Sequence, residues 1–391
     1  MESCPEIVPP RVVGPFFRES VDAVVMPIHS SHVSLTSNRP YSTTVSQKSQ
    51  GFNTTFFKSR QNGYNRHDME KRLVSGIKPS GTLHIGNYLG AIKQWVDLQS
   101  DYDCYFFVAD YHALTQKPSP EVIHEQTLGT VAMLVALGVD PKNCVLFVQS
   151  QIPEQAELNW LLSPFVTVGQ LNRMTQYKEK SDRHGQNVGL LTYPVLMAAD
   201  ILIYDAEVVP VGDDQVQHLE LAREVVRSFN AHAGKTFTEP KPLLTKAARI
   251  MALNDPKHKM SKSIPGSAIG LLDDEATVTA TIRKAVTDSD PNSTKRSPGV
   301  ENLFTILEGF SDEETVQQFQ DKYKDGQLKY SELKEQLIED VMAFLGPVQK
   351  AYASLLAQPD QLELIINEGT AKARPIASAK LAIVKKNLGL L

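Results

Sequence analysis

Lys259-Met260-Ser261-Lys262-Ser263 sets two ammonium groups three residues apart among hydroxyls, between Pro256 and Pro265, in a stretch too polar for a core. Such a pair can neutralise charge that grows on a departing pyrophosphate. The same residues also read as a solvated basic loop, the usual fate of a lysine pair. A second element runs Pro79-Ser80-Gly81-Thr82-Leu83-His84-Ile85-Gly86-Asn87. Its glycines let backbone approach a nucleotide, and His84 and Asn87 can reach phosphate or ribose oxygens at a helix start. The alternative is an ordinary strand-to-helix turn, since glycine-rich turns are common. A third stretch, Gly189 to Leu202, places Tyr193, Met197 and Asp200 at i, i+4 and i+7 on one helix face. Tyrosine and methionine can sandwich a flat ring while Asp200 accepts one directed hydrogen bond. Spacing alone favours a packing stripe that ends in an aspartate.

These groups need a frame, and a strand–helix alternation supplies one from Arg72 onward. Buried strands are predicted at Arg72–Ile77, Tyr105–Ala109, Val145–Gln149 and Val208–Val211. Helices are predicted at Asn87–Gln99, from Pro120 (capped by Ser119) to Leu137, and near Glu154–Leu162, Val168–Lys180, Tyr193–Ala206 and Asp213–His232. Apolar strands alternating with helices imply a parallel sheet covered on both faces. The expected fold class is α/β, a Rossmann-like parallel-sheet nucleotide-binding body followed by an all-helical C-terminal domain. In such sheets ligands bind beyond the carboxyl ends of strands, where Pro79–Asn87 falls. From Asp273 on only helices are predicted, so a domain change is placed near Asp274.

The chain has 391 residues, 22% charged and 41% hydrophobic, and a net charge of −5, which fits a globular protein and argues against bulk electrostatic binding of nucleic acid. Contacts to RNA must come from local basic patches; Arg283, Lys284, Lys295 and Arg296 form the one tight basic cluster of the helical part. Cys4, Cys104 and Cys144 make no CxxC pair, so no metal site is expected, and the latter two read as buried small hydrophobes. No apolar stretch is long enough for a membrane span. Residues 23–67 hold five Lys or Arg and no Asp or Glu, with many Ser and Thr. That composition suits an organellar transit segment, although Glu2, Glu6, Glu19 and Asp22 are unusual for one. Residues 1–68 are therefore a disordered or targeting extension, or lie ahead of a true start at Met69.

His84-Ile85-Gly86-Asn87 after the first strand, followed far downstream by Lys259–Ser263, resembles the paired signatures of class I aminoacyl-tRNA synthetases. The segment Gly189–Leu202, with Val209-Pro-Val-Gly-Asp-Asp-Gln-Val-Gln-His218 after it, is similar to the bacterial-type tryptophanyl-tRNA synthetases in particular. The likeness runs from about Arg72 to Leu391. It implies that Asp200 accepts the indole N–H and that Tyr193, Met197, His112 and Gln215 line a tryptophan pocket. It implies ATP contacts from Lys78, Pro79, Ser80, Gly86, Asn87, Gly212, Asp213, Asp214, Ile250, Lys259, Met260, Ser261, Lys262 and Ser263, with His84, Lys259 and Lys262 as the catalytic groups. Two positions depart from the family: Lys78 stands where glutamine is frequent, and Val74 where an aromatic can occur.

The resemblance implies a ligase for L-tryptophan, ATP with Mg²⁺, and tRNA(Trp). The tryptophan carboxylate attacks the α-phosphate in line, so positioning and charge stabilisation carry the first step. The adenosine hydroxyl at the 3′ end of the tRNA then attacks the adenylate. Residues 69–273 are the implied catalytic domain and 274–391 the implied anticodon-binding region. A homodimer, no membrane association, and cytoplasmic residence are expected, the last giving way to the mitochondrial matrix or a plastid if residues 1–68 are a transit peptide. A tyrosyl relative, or a silent paralogue that only binds tRNA, are the rivals; the intact lysine loop and the Gly212–Gln215 turn weigh against the second.

Overall fold

The computed structural model describes residues 71–390, except 80, 176, 178–186, 213–214, 245–248, 263 and 289–294. The extension 1–68, and the expected ATP residues Ser80, Asp213, Asp214 and Ser263, lie outside the described residues. Five strands form one parallel sheet in the order β3-β2-β1-β4-β5. They are β1 (Arg72–Ile77), β2 (Asp103–Val108), β3 (Val145–Val148), β4 (Val208–Val211) and β5 (Lys241–Leu244). β1 is central: Leu73 aligns with Cys104 on one side and with Val208 on the other. The chain moves outward from β1 through β2 to β3, then returns to the opposite side of β1 with β4. The order therefore reverses between β1 and β4, and a crevice opens there at the carboxyl ends of the strands.

Alternation along the strands feeds two cores. Leu73, Cys104, Phe106, Val108, Leu146 and Val148 face one, and Val74, Tyr105, Phe107, Val145, Phe147 and Val209 face the other. Helix α1 (Ile85–Asn87, a π-turn Tyr88–Ile92, then Lys93–Leu98) and α2 (Pro120–Ala136) cover the first face. Ser119 caps α2 through the Val122 N–H, and Gly138 ends it at φ 102°, as predicted. Helices α3 (Pro153–Leu162), α4 (Val188–Leu202) and α5 (Val216–Ala233) cover the second. Cys104 and Cys144 are fully buried, each thiol near a backbone carbonyl.

Three expectations need correction. The helix expected over Val168–Lys180 ends at Asn172 with Arg173 as its C-cap, and residues 178–180 lie outside the described residues. α4 starts at Val188, five residues before the predicted Tyr193, because Asn187 accepts from the Leu190 N–H at 2.8 Å and Pro194 is accommodated within the helix. β5 was not foreseen; it is four residues long, contains Pro242, and pairs along one side only, with β4. Proline on an edge strand loses no ladder hydrogen bond.

After Asp274, whose side chain caps the next helix through Thr277 N–H at 2.8 Å, every described regular element is helical: α6 (Glu275–Arg283), α7 (Pro298–Phe310), α8 (Glu313–Lys324), α9 (Tyr330–Leu356) and α10 (Pro359–Asn387). α7 and α9 feed the first core directly. α10 crosses the free edge of β3. Its Leu362 and Ile366 join the first core, and its Ala373, Ala377 and Leu381 join the second. Gly369 makes the crossing possible, since a Cβ there would lie 1.7 Å from the Leu146 carbonyl oxygen. Further along, Lys380 donates to the Thr236 carbonyl at 2.7 Å and pairs with Asp205.

Candidate active site

The β1–β4 crevice holds a cavity of about 250 Å³. Its floor is Val74, Ser75 and Gly76 of β1 with Val209–Val211 of β4, and its walls include Phe107, His112, Tyr193, Met197, Asp200 and Gln215. All five residues expected in an amino-acid pocket, Asp200, Tyr193, Met197, His112 and Gln215, thus meet at one place. So do the two departing positions, Val74 and Lys78. A Cβ on Gly76 would come within 2.4 Å of the Phe107 ring, so the strand must be bare there for the aromatic to form the wall.

Asp200 is 1% exposed, and burying a carboxylate is costly unless it is well hydrogen-bonded. The fold supplies three donors. Gln149 Nε2 at 2.7 Å and Gln155 Nε2 at 3.1 Å donate to Oδ1, and His112 Nε2 lies 2.8 Å from Oδ2. Gln149 is itself oriented, because its Oε1 accepts the Tyr111 N–H at 3.1 Å. An ionised carboxylate has about four lone-pair positions. With both glutamines on Oδ1, and His112 donating through Nε2–H to Oδ2, one acceptor position on Oδ2 is left among the described residues. Gln149 and Gln155 escaped the sequence reading. The clue was a glutamine closing the apolar run Val145–Val148, but surface glutamines end strands as often.

Tyr193 is held by its hydroxyl, 2.7 Å from Nε2 of the buried His218 on α5. Its ring also stands edge-on to His112, with centroids 6.1 Å apart. Ring and carboxylate are therefore fixed before any ligand arrives. Gln215 stands at the N-cap position of α5 without a side-chain cap bond, and its N–H donates to the Gly212 carbonyl at 2.9 Å.

The two signature segments are joined by backbone. Ile85 N–H donates to Ile269 O at 3.0 Å and Leu271 N–H to Leu83 O at 2.9 Å, so the strand-to-helix loop pairs with the chain that follows the lysine loop. The lysine loop grows from a small hairpin: Ala252 N–H donates to His258 O at 2.8 Å, Met260 N–H to Ile250 O at 3.0 Å, and Met251 faces Lys259. Ser267 Oγ donates to the Ser261 carbonyl, and Asn254 Nδ2 donates to Pro265 O at 3.0 Å, tying the loop's far side.

Met260 is buried against Gly86, where a Cβ would meet its sulfur at 3.3 Å and the His84 ring at 2.9 Å. Met260 and Ile250 are core side chains, so only their backbone can face a ligand. Pro79 is likewise buried. Asn87 turns back on its own loop and accepts the His84 N–H at 3.0 Å. Lys259 and Lys262 are exposed, and neither makes an ion pair among the described residues. His84 feels both of them. Burial, then Lys259, then Lys262 push its imidazole down to about 4, so it is neutral at physiological pH.

The basic cluster of the helical part is largely engaged. Arg283 makes a two-pronged pair with Glu335 at 2.9 and 3.1 Å, and Arg296 pairs with Glu301 and lies 3.6 Å over the Phe304 ring. Among the described residues no three His, Cys, Asp or Glu converge as a metal site, and no helix is long and apolar enough to cross a membrane.

The model of the family "tRNA synthetases class I (W and Y)" matches residues 67–346. A tryptophan–tRNA ligase from Caldanaerobacter subterraneus subsp. tengcongensis is 46% identical over 328 residues, which span 82% of this chain and 99% of the relative. One from Clostridium perfringens is 44% identical over 334 residues, 83% and 99% of the respective chains. The crystal structure of a tryptophanyl-tRNA synthetase from Campylobacter jejuni, complexed with ADP and tryptophan, superimposes with a TM-score of 0.72 at 38% identity, covering 82% of this chain and all of the other.

Proposed function

The chain belongs to the class I tRNA synthetases of the tryptophan and tyrosine branch, and within it to the tryptophan–tRNA ligases; we propose that the β1–β4 cavity is where it holds its amino acid. Its reaction is the ATP-dependent activation of L-tryptophan to the adenylate, with release of pyrophosphate, and transfer to the 3′ end of tRNA(Trp). The observation that carries the cavity assignment is the single acceptor position left on Asp200 Oδ2 in a cavity walled by Tyr193 and Met197. An indole has one N–H and a flat ring, which is the complement of that arrangement. Phenylalanine offers no donor and leaves the buried acceptor unpaired.

ATP lies across Gly86, Asn87 and the lysine loop in this reading, with Lys78–Ser80, Gly212–Asp214 and Ile250 around it. Lys259 and Lys262 neutralise charge as it moves onto pyrophosphate. His84, neutral and half-buried beside them, is suited to hydrogen-bond phosphate oxygens as an uncharged partner. Mg²⁺ would enter with ATP and would supply charge neutralisation at the phosphates beside Lys259 and Lys262. The proposed division is a catalytic domain over 69–273 and an anticodon-binding region over 274–391, with 1–68 as an extension. Family membership, rather than a free basic patch, supports the anticodon role. A homodimer is proposed on the same ground, and cytoplasmic residence likewise, with an organelle as the alternative if 1–68 is a transit peptide.

Amino-acid-dependent pyrophosphate–ATP exchange across all twenty amino acids tests the reading. Tryptophan should exceed tyrosine and phenylalanine by roughly 10⁴-fold. Comparable exchange with tyrosine would overturn it.

A further inference from the structure

The hairpin that carries the lysine loop is tied to the C-terminal helices by a side chain of α7. In the hairpin below the loop, Ile250 and Ala252 use their backbone groups to pair with Met260 and His258. Met251, between them, points its N–H and C=O outward, to the open side of the hairpin. Both are taken by Asn302 of α7. Met251 N–H donates to Asn302 Oδ1 at 2.7 Å, and Asn302 Nδ2 donates to Met251 O at 2.9 Å. A carboxamide has the same donor and acceptor geometry as a peptide group, so Asn302 stands in for a third strand.

Met251 is the residue directly across from Lys259. Asn302 is 4% exposed and flanked by the core residues Val300, Leu303 and Phe304, so a polar side chain here is otherwise out of place on this helix face. A second contact ties the same two parts: Val286 N–H donates to Leu253 O at 2.8 Å, and Val286 lies against Gly299 at the start of α7, where a Cβ would be 2.3 Å from the Val286 carbonyl oxygen. Hairpin and α7 thus form one block.

We infer that Asn302 is a positioning residue for adenylate formation, fixing the Lys259 strand of the hairpin so that the lysine loop keeps its place relative to α7. This rests on the functional reading above. Lys259 touches the phosphates in that reading; Asn302 acts through it. A displacement of about 1 Å at a reacting group can cost about 10²-fold in rate. The amino-acid cavity lies elsewhere, and none of its lining residues contacts Asn302 through a hydrogen bond.

The test compares Asn302→Ala and Asn302→Asp with wild type in the full chain. Asn302→Asp keeps the acceptor for Met251 N–H and loses the donor. Three quantities are measured: tryptophan affinity without ATP, kcat and KM for ATP in pyrophosphate exchange, and the titration of His84 by NMR. Both variants should bind tryptophan within twofold of wild type. The kcat should fall about tenfold to a hundredfold for Asn302→Ala and at least as far for Asn302→Asp, whose second oxygen would face the Met251 carbonyl, with a raised KM for ATP. The His84 titration should move up toward 6.5 as the lysines draw away. Variants with unchanged kcat, KM and His84 titration would overturn the inference. So would a parallel loss of tryptophan affinity, which would mark Asn302 as a general support of the fold. Wild-type protein without tryptophan-dependent exchange would refute the functional reading instead, and the His84 titration would still decide whether Asn302 holds the loop.

Discussion

Replacing Asp200 by asparagine removes a charge and one acceptor while leaving the side-chain shape almost unchanged. The amide oxygen can take the place of Oδ1 and keep the N–H groups of Gln149 and Gln155, now at 2.7 and 3.1 Å. The amide nitrogen then occupies the place of Oδ2. It can donate to His112, 2.8 Å away, if that ring changes tautomer. Its second hydrogen points where the open acceptor position was, so the proposed indole N–H meets a donor. A hydrogen bond to a charged acceptor contributes about 1.5–3 kcal/mol, so the affinity for tryptophan should fall by roughly 10–150-fold. Phenylalanine lacks the donor and should change little. A sulfur isostere of tryptophan, with benzothiophene in place of indole, isolates the effect because it keeps the ring and loses only the N–H. The assay is pyrophosphate exchange at saturating ATP, giving kcat/KM for the three amino acids. Wild type should favour tryptophan over the isostere by tenfold or more, and the ratio should approach one in the variant. An unchanged ratio accompanied by a higher KM for ATP would place Asp200 in the nucleotide site or in helix packing, and the pocket assignment would fall.

Lys262→Ala should lower kcat for exchange by about 10²-fold while leaving tryptophan affinity nearly intact, because the ammonium acts on charge that develops in the transition state; single-turnover kinetics with equilibrium binding separates the two. His84 should titrate near 4 by NMR, and either Lys259→Ala or Lys262→Ala should raise that value. Its folded-state value is lowered from 6.5, so the unfolded chain takes up the proton first as pH falls. This group's contribution to stability is therefore complete above about 6.5 and disappears between there and about 4, which denaturant melts of wild type and His84→Asn across that range would reveal. Gly369→Ala should lower Tm by several degrees, since a methyl group 1.7 Å from the Leu146 carbonyl oxygen forces α10 off the strand; overpacking of this kind costs about 1–3 kcal/mol or more.

The core of the fold was legible because its signals are local. Four of five strands are apolar runs bounded by turn residues, and α2 carries its cap and its stop in the sequence. β5 was not legible, since Lys241–Leu244 is short and holds a proline, the pattern of a loop. The start of α4 was misplaced at Tyr193, whereas the chain is helical from Val188 with Pro194 inside the helix. In the site, Asp200, Tyr193 and Met197 share a helix face that spacing exposes. The donors to Asp200 come from the segments that follow β2 and β3 and from α3, between 45 and 88 residues before it in the chain, so no local spacing relates them to it. Asn302 left no clear trace, standing beside Glu301 in a segment that mixes polar and apolar residues, and its partner is a backbone group that carries no sequence signal at all. In the cluster Arg283, Lys284, Lys295 and Arg296, the two arginines are paired in the fold with Glu335 and Glu301, which the sequence alone does not show.

The crossing of α10 over β3 also sets an order of events during synthesis. β3 is made early, and its outer edge offers unpaired N–H and C=O groups to any passing strand. The helix that covers it, Pro359–Asn387, is made about two hundred residues after β3. At about 5–20 residues per second the edge stays open on the order of ten seconds or more after β3 has emerged. A nascent chain stopped short of Gly369 would carry the sheet and its cavity with one side unprotected, able to pair with a second chain before its own α10 could arrive.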